Sequence, residues 1–182
     1  MNTANKLTIL RIILVPIFMI FALLDGAAMH YIALAIFVIA SITDHLDGQI
    51  ARKCNQITNF GKFMDPLADK MLTTAAFLVF MEQGIINSWA ILIILVREFV
   101  VSGIRLSAAS EGNVIAASFW GKFKTVSQMV AIIVTMLLTN LAFIPQVTGY
   151  VISAICIWIS IVFTVISGVE YVARNINCIK MK

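Results

Sequence analysis

Charge is scarce in this chain. Only 12% of its 182 residues are Asp, Glu, Lys or Arg, against about 25% in ordinary soluble domains. Hydrophobic residues make up 61%, and the mean hydropathy is +1.00. That shortage excludes an ordinary soluble domain and predicts an all-α integral membrane protein. Cysteine is scarce as well. Cys54, Cys156 and Cys178 lack metal-ligand spacing, which argues against a zinc site or a disulfide framework. Cys156 lies in an apolar run and reads as a small hydrophobe. No repeat, low-complexity linker or soluble appendage interrupts the chain, so one domain over 1–182 is expected. The net charge of +4 does not by itself call for nucleic acid, because in a membrane protein surplus cations report topology. No nucleic-acid partner is expected.

Six apolar runs approach the roughly 20 residues needed to cross a bilayer. They cover about 7–24, 31–50, 63–81, 89–109, 120–141 and 147–172. The first follows Lys6 and Arg11 and precedes Gly26-Ala27-Ala28, which imitates a signal peptide. Its apolar run exceeds the usual 7–15 or so residues, so a retained span is expected. Cations fix the orientation. With the N-terminus inside, every one of the 13 lysines and arginines except Arg97 falls at or near an inner end. The turns at 25–30, 82–88 and 140–148 hold none. This asymmetry predicts six transmembrane helices with both termini cytoplasmic.

Against that background four carboxylates stand close together: Asp44, Asp47, Asp65 and Asp69. A charge at the centre of a membrane helix costs about 2.5–3.5 kcal/mol. Divalent metal is a natural compensation, since hard cations take oxygen ligands. Residues three and four apart share a helix face. Asp44, Asp47, Gly48 and Ala51 therefore form one stripe, and Gly61, Asp65 and Asp69 a second. A short connection makes the two helices antiparallel neighbours, so the stripes can converge at the cytoplasmic side. The small residues leave room for a ligand to reach the backbone. Arg52 is suited to a bidentate grip on phosphate. Pro66 belongs in a first helical turn, which places the start of the third helix near Lys62. An alternative is a charge network in which Arg52, Lys53, Lys62 and Lys70 neutralise the acids. It leaves the interleaved Gly48, Ala51 and Gly61 unexplained. Spacing alone does not say which carboxylate is spare.

The pattern D-x-x-D-G-x-x-A-R-x(8)-G-x-x-x-D-x-x-x-D resembles the signature of the CDP-alcohol phosphotransferases. Its fixed positions are Asp44, Asp47, Gly48, Ala51, Arg52, Gly61, Asp65 and Asp69. The resemblance implies two divalent cations, Mg²⁺ or Mn²⁺, held mainly by Asp44, Asp47 and Asp65. It implies that Asp69 completes the acidic set and serves as the general base. It further implies that Gly48, Ala51, Arg52 and Gly61 line a CDP site, and that the protein is a homodimer.

The rest of the chain resembles the phosphatidylglycerophosphate synthase branch of that family. The resemblance lies in Asn5 to Arg11, in Arg97-Glu98-Phe99 with Arg105, in Gly121 to Thr125, and in Ser167 to Tyr171. It implies transfer of the phosphatidyl group of CDP-diacylglycerol to sn-glycerol 3-phosphate in a bacterial cell membrane, with membrane lipids as surroundings and the active site facing the cytoplasm. Arg97 and Arg105 are about two turns apart and near one face. With Lys122 and Lys124 they form a candidate cluster for the acceptor phosphate. Plain positive-inside anchoring is the alternative for the two lysines, and pairing with Glu98 is the alternative for Arg97. Thr8 is a candidate contact for the nucleotide. Arg11 is a candidate for nucleotide or lipid phosphate, or else a snorkelling anchor. His30 and His45 have no partners at ligand spacing and read as non-catalytic. Two other readings compete: the same chemistry on inositol phosphate, serine or phosphatidylglycerol, and a cation transporter. Transport would need polar groups continuing outward, where only Asp25 and Glu82 are available, both at loop ends. A membrane prenyltransferase is disfavoured by the short gap between the acidic motifs.

Overall fold

A computed structural model describes residues 3–53, 59–110, 118–141 and 144–175; within these, the side chains of 3–5, 44–53, 59–66, 69, 109 and 110 are not described. The described residues form six α-helices and no strand: α1 (Thr3–Leu23), α2 (Ala27–Lys53), α3 (Asn59–Glu82), α4 (Ser88–Ser110), α5 (Phe119–Leu138) and α6 (Gln146–Asn175). Each contains or nearly contains one expected apolar run. Helices extend past the runs because their polar ends still satisfy i to i+4 hydrogen bonds, which hydropathy does not register. Two ends are shorter than expected, that of α1 by a single residue. Helix α5 stops at Leu138, where Thr139 caps it through N–H bonds to Leu137 and Thr135.

Among the described residues, three helices are long and apolar enough to cross a membrane: Lys6–Leu23 of α1, Phe119–Leu138 and Gln146–Asn175. The apolar part of α2, Ala27–Thr43, ends where the aspartates begin. Helices α3 and α4 carry Asp65, Asp69 and Lys70, and Arg97, Glu98 and Arg105, inside their lengths. Two of the cation-free turns close on glycines with positive φ, Gly26 at 116° and Gly84 at 73°. A side chain is strained there, so glycine is favoured.

The chain packs as two units. Residues Met1–Gln83 with Asn140–Ala142 form the first, and Gly84–Thr139 with Phe143–Lys182 the second. In the first unit α1 packs against α2 and α3, and α2 touches α3. The buried positions of α1 are Thr8, Arg11, Val15, Phe18 and Ala22, spaced alternately three and four apart as a packed helix seam requires. Helix α2 answers with Ala33, Phe37 and Ala40. The rings of Phe18 and Phe37 meet at 5.7 Å. Gln83 Nε2 donates to the Ala22 carbonyl at 3.3 Å. His30 bonds the Asn140 side chain.

The second unit is built on α6, against which α4 and α5 both pack. The buried face of α6 is polar and small: Gly149, Ser153, Ser160, Thr164 and Ser167 beside Ile157, Ile161 and Tyr171. Its outer face is apolar, with Val147, Val151, Ile155, Trp158, Ile159, Val162 and Val169 exposed. This reverses the pattern of a water-soluble helix. Small residues let backbones approach, which is how helices associate when the surroundings are as apolar as their side chains. At Gly149 a β-carbon would lie 2.8 Å from the Leu138 carbonyl oxygen. The inward hydroxyls of Ser160, Thr164 and Ser167 donate to carbonyls one turn back on α6. The Thr164 hydroxyl also accepts from Gln128 Nε2 at 3.0 Å.

Candidate active site

The acidic motif occupies the last turns of α2 and the first turns of α3, both in the first unit. Extending the buried α2 seam of Ala33, Phe37 and Ala40 by the same alternation lands on positions 44, 47 and 51. These are Asp44, Asp47 and Ala51. On α3, Asp65 and Asp69 share register with the buried Ala68, Leu72 and Ala76, and Gly61 lies one turn before Asp65. The side chains of all eight signature residues lie outside those described. As a donor set, four carboxylates on two touching helices suit a hard divalent cation.

Pro66 departs from expectation. Helix α3 begins at Asn59, so Pro66 is its eighth residue and not in the first turn. Proline supplies no N–H to the Lys62 carbonyl, so α3 continues through a gap in its hydrogen-bond ladder beside Asp65. Pro16 does the same to the Ile12 carbonyl in α1. Membrane helices accept such prolines when neighbours satisfy the freed groups.

Thr8 and Arg11 are both fully buried on the α1 seam. A snorkelling anchor keeps its charged head in water, so Arg11 is not one. Its register on the seam, three residues after Thr8, was the available signal.

In the second unit two of the four candidate acceptor-phosphate cations come together. Glu98 accepts from Arg97 Nη1 at 3.0 Å and also from Lys124 Nζ. Arg97 Nη2 donates to Ser167 Oγ at 3.0 Å. Glycine makes this possible. A β-carbon on Gly168 would stand 2.8 Å from Arg97 Cγ, whereas one on Gly121 would be in ordinary contact, 3.9 Å from Nη2. The Arg97 side chain is 13% exposed and that of Lys124 5%. Ser118 caps α5 by accepting the Gly121 N–H at 3.1 Å, which sets the helix phase that turns Lys124 inward and leaves Lys122 exposed. Arg105, exposed, lies 5.4 Å over the Tyr171 ring and donates Nε to its hydroxyl at 3.3 Å. Arg97 and Arg105 thus both reach α6, at residues one turn apart. Sequence reasoning had treated Glu98 only as a possible mate for Arg97 and passed over Ser167 and Gly168 as single contributors.

Residues 1–166 match the profile of the CDP-alcohol phosphatidyltransferase family. The chain belongs to the CDP-alcohol phosphatidyltransferase family. That makes it a transferase of a kind that generally depends on divalent metal. Among relatives, the Bacillus subtilis (strain 168) protein named CDP-diacylglycerol--glycerol-3-phosphate 3-phosphatidyltransferase is 40% identical over 191 residues, covering 98% of this chain and 97% of its own. A Mycobacterium tuberculosis (strain H37Rv) protein named probable phosphatidylglycerophosphate synthase is 40% identical over 182 residues, covering 97% and 82%. A Rickettsia typhi protein bearing the same name as the Bacillus one is 35% identical over 170 residues, covering 93% and 94%. Within this phosphatidyltransferase, all eight signature residues fall inside the matched segment, as do Thr8, Arg11, Arg97, Glu98 and Lys124.

Proposed function

We propose that this phosphatidyltransferase moves the phosphatidyl group of CDP-diacylglycerol onto sn-glycerol 3-phosphate, giving phosphatidylglycerol phosphate and CMP. The observation that carries the reading is that both acidic stripes continue buried seams of two touching helices, in a chain whose relatives bear that activity in their names. Asp44, Asp47 and Asp65, with Asp69 beside them, would hold two divalent cations, Mg²⁺ or Mn²⁺. Bound there, the metals supply charge neutralisation for a diphosphate and for the in-line displacement at phosphorus.

The chain's own residues supply the rest. Asp69 takes the proton of the 1-hydroxyl of glycerol 3-phosphate as general base. The alcohol oxygen bonds the β-phosphorus, the bond from that phosphorus to the bridging oxygen breaks, and CMP leaves with the electron pair. Gly48, Ala51 and Gly61 leave space for the nucleotide, and Arg52 grips its phosphate. Thr8 and Arg11, buried on the α1 seam, are the further nucleotide contacts. Arg97 and Lys124 are assigned to the acceptor phosphate, with Arg105 and Lys122 as outlying cations.

All six helices are read as crossing a bacterial cell membrane in a single domain, with termini and acidic motif cytoplasmic, and the active protein as a homodimer among membrane lipids. The apolar exterior of α6 and the cation-free turns support this placement. An assay of the purified protein with CDP-diacylglycerol and each of glycerol 3-phosphate, inositol phosphate, serine and phosphatidylglycerol tests the reading. CMP release with glycerol 3-phosphate is expected. Faster turnover of another alcohol overturns the acceptor assignment and leaves the transfer chemistry intact.

A further inference from the structure

We propose that Glu98 is a positioning residue. Its carboxylate yokes Arg97 of α4 and Lys124 of α5 into one clamp for the phosphate dianion of the acceptor alcohol, and Ser167 and Gly168 of α6 seat that clamp. The inference rests on the acceptor being a phosphate monoester, as proposed above.

Three features support it. First, the yoke is specific: one carboxylate oxygen, Oε1, accepts from both cations. Two like charges this close repel unless an anion lies between them, so Glu98 is what allows both to face one place. Second, the arginine is held at two points by separate helices. Nη1 is on Glu98 and Nη2 is on Ser167, while its stem lies over Gly168, where even a methyl group would collide. Third, donors remain unspent. Arg97 Nε is buried without a hydrogen-bond partner, and a guanidinium has five N–H groups. A buried donor left unmade is costly. A phosphate oxygen at the Nε edge would satisfy it and form the bidentate pairing that guanidinium favours. Among the described residues of the cluster, two cations less one carboxylate leave a single net positive charge, a suitable sign for a dianion.

The sign of one measurement separates this role from plain electrostatics. Glu98→Gln removes a negative charge beside the site. If Glu98 only tuned the local potential, the variant would bind a phosphate more tightly and KM for glycerol 3-phosphate would fall. If Glu98 positions the cations, they separate and KM rises. We expect a rise of about tenfold or more, the scale of one charge-assisted hydrogen bond. KM for CDP-diacylglycerol is expected to be unchanged, and Glu98→Asp to recover much of the loss. Ser167→Ala, which leaves all charges in place, should raise the same KM by a smaller factor. Circular dichroism and thermal unfolding report whether each variant folds. A lower or unchanged KM for glycerol 3-phosphate in folded Glu98→Gln overturns the proposal. So does an equal change in both KM values, or a Glu98→Asp variant no better than Glu98→Gln in a folded protein. Should the wild type prefer inositol phosphate, the acceptor assignment fails alone, and the same KM test runs on that alcohol. A preference for unphosphorylated serine sinks both.

Discussion

Gly168→Ala puts the packing of the cation cluster under stress. Alanine is ordinarily the better helix residue, and the change at an open site gains about 0.5–1 kcal/mol. Here the new β-carbon would lie 2.8 Å from Arg97 Cγ, 3.8 Å from its Cβ and 3.9 Å from its Nε. Carbon atoms rest at about 3.5–4.0 Å, so the arginine stem must retreat by about 0.7–1.2 Å. The Cγ atom is near the root of the side chain, and the head is tethered at 3.0 Å to both Glu98 and Ser167. Lengthening either bond beyond about 3.5 Å ends it as a hydrogen bond. A charge-assisted hydrogen bond contributes about 1.5–3 kcal/mol, so KM for the acceptor is expected to rise about 10- to 100-fold. Overpacking costs about 1–3 kcal/mol, which the helix-propensity gain partly offsets. Net stability should therefore fall by about 0–2 kcal/mol, or a few degrees in Tm. Gly103→Ala on α4 is the matched control, because nothing lies within 4 Å of its would-be β-carbon. That variant should unfold at the same or a higher temperature with unchanged KM. The assay is CMP release from CDP-diacylglycerol at varied glycerol 3-phosphate, beside thermal unfolding. A Gly168→Ala enzyme that matches Gly103→Ala in both KM and Tm would refute the packing argument.

Other consequences can be measured on the same protein. Asp69→Asn should abolish CMP release while CDP binding survives; equal loss of binding and turnover would make Asp69 a metal ligand instead. Chelation by EDTA should stop turnover, and added Mg²⁺ or Mn²⁺ should restore it, whereas activity persisting after exhaustive chelation would contradict the metal assignment. Gly149→Ala would set a β-carbon 2.8 Å from the Leu138 carbonyl oxygen. Backbone yields less readily than a side chain, so a loss of about 1–3 kcal/mol in unfolding free energy is expected; an unchanged Tm would show that α5 and α6 slide apart freely.

Much of the architecture was open to reading in one dimension. Apolar runs marked all six helices because a chain with so few charges has few other ways to satisfy its backbone. Glycine and polar residues marked the turns, and two of the three cation-free turns close on positive-φ glycines. The start of α3 was misjudged because proline preference favours a first turn, and the helix ran three residues further back than Lys62. Among the site residues, the aspartates drew notice because charge is expensive in an apolar chain. Their alignment with the buried seams of α2 and α3 needed the burial of Ala33, Phe37, Ala40, Ala68 and Leu72 to be known.

Cation roles were legible only in part. Lys122 and Lys124 are alike in sequence, two apart in a run of aromatic and basic residues. One is exposed and the other buried, since residues two apart on a helix point about 200° from each other. Which of them turns inward depends on the phase of α5, set at the Ser118 cap and by packing on α6. Arg11 and Glu98 are similar cases: polarity flagged them, and only burial showed that the first is no surface anchor and only the ion pairs showed that the second bridges two cations.

Sequence by itself determined that the protein is helical and apolar, that its acids lie at helical spacing with small residues and an arginine between them, and that this spacing belongs to a CDP-alcohol phosphatidyltransferase. Those properties are periodic and local, so residue order is enough to specify them. Tertiary structure alone decided that Glu98 holds Arg97 and Lys124 together, that Ser167 and Gly168 seat the arginine, and that Thr8 and Arg11 lie inside a packed seam. Apart from the adjacent pair Arg97 and Glu98, the contacts of that cluster join residues 26 to 71 positions apart through helix phase and crossing, which no local pattern encodes.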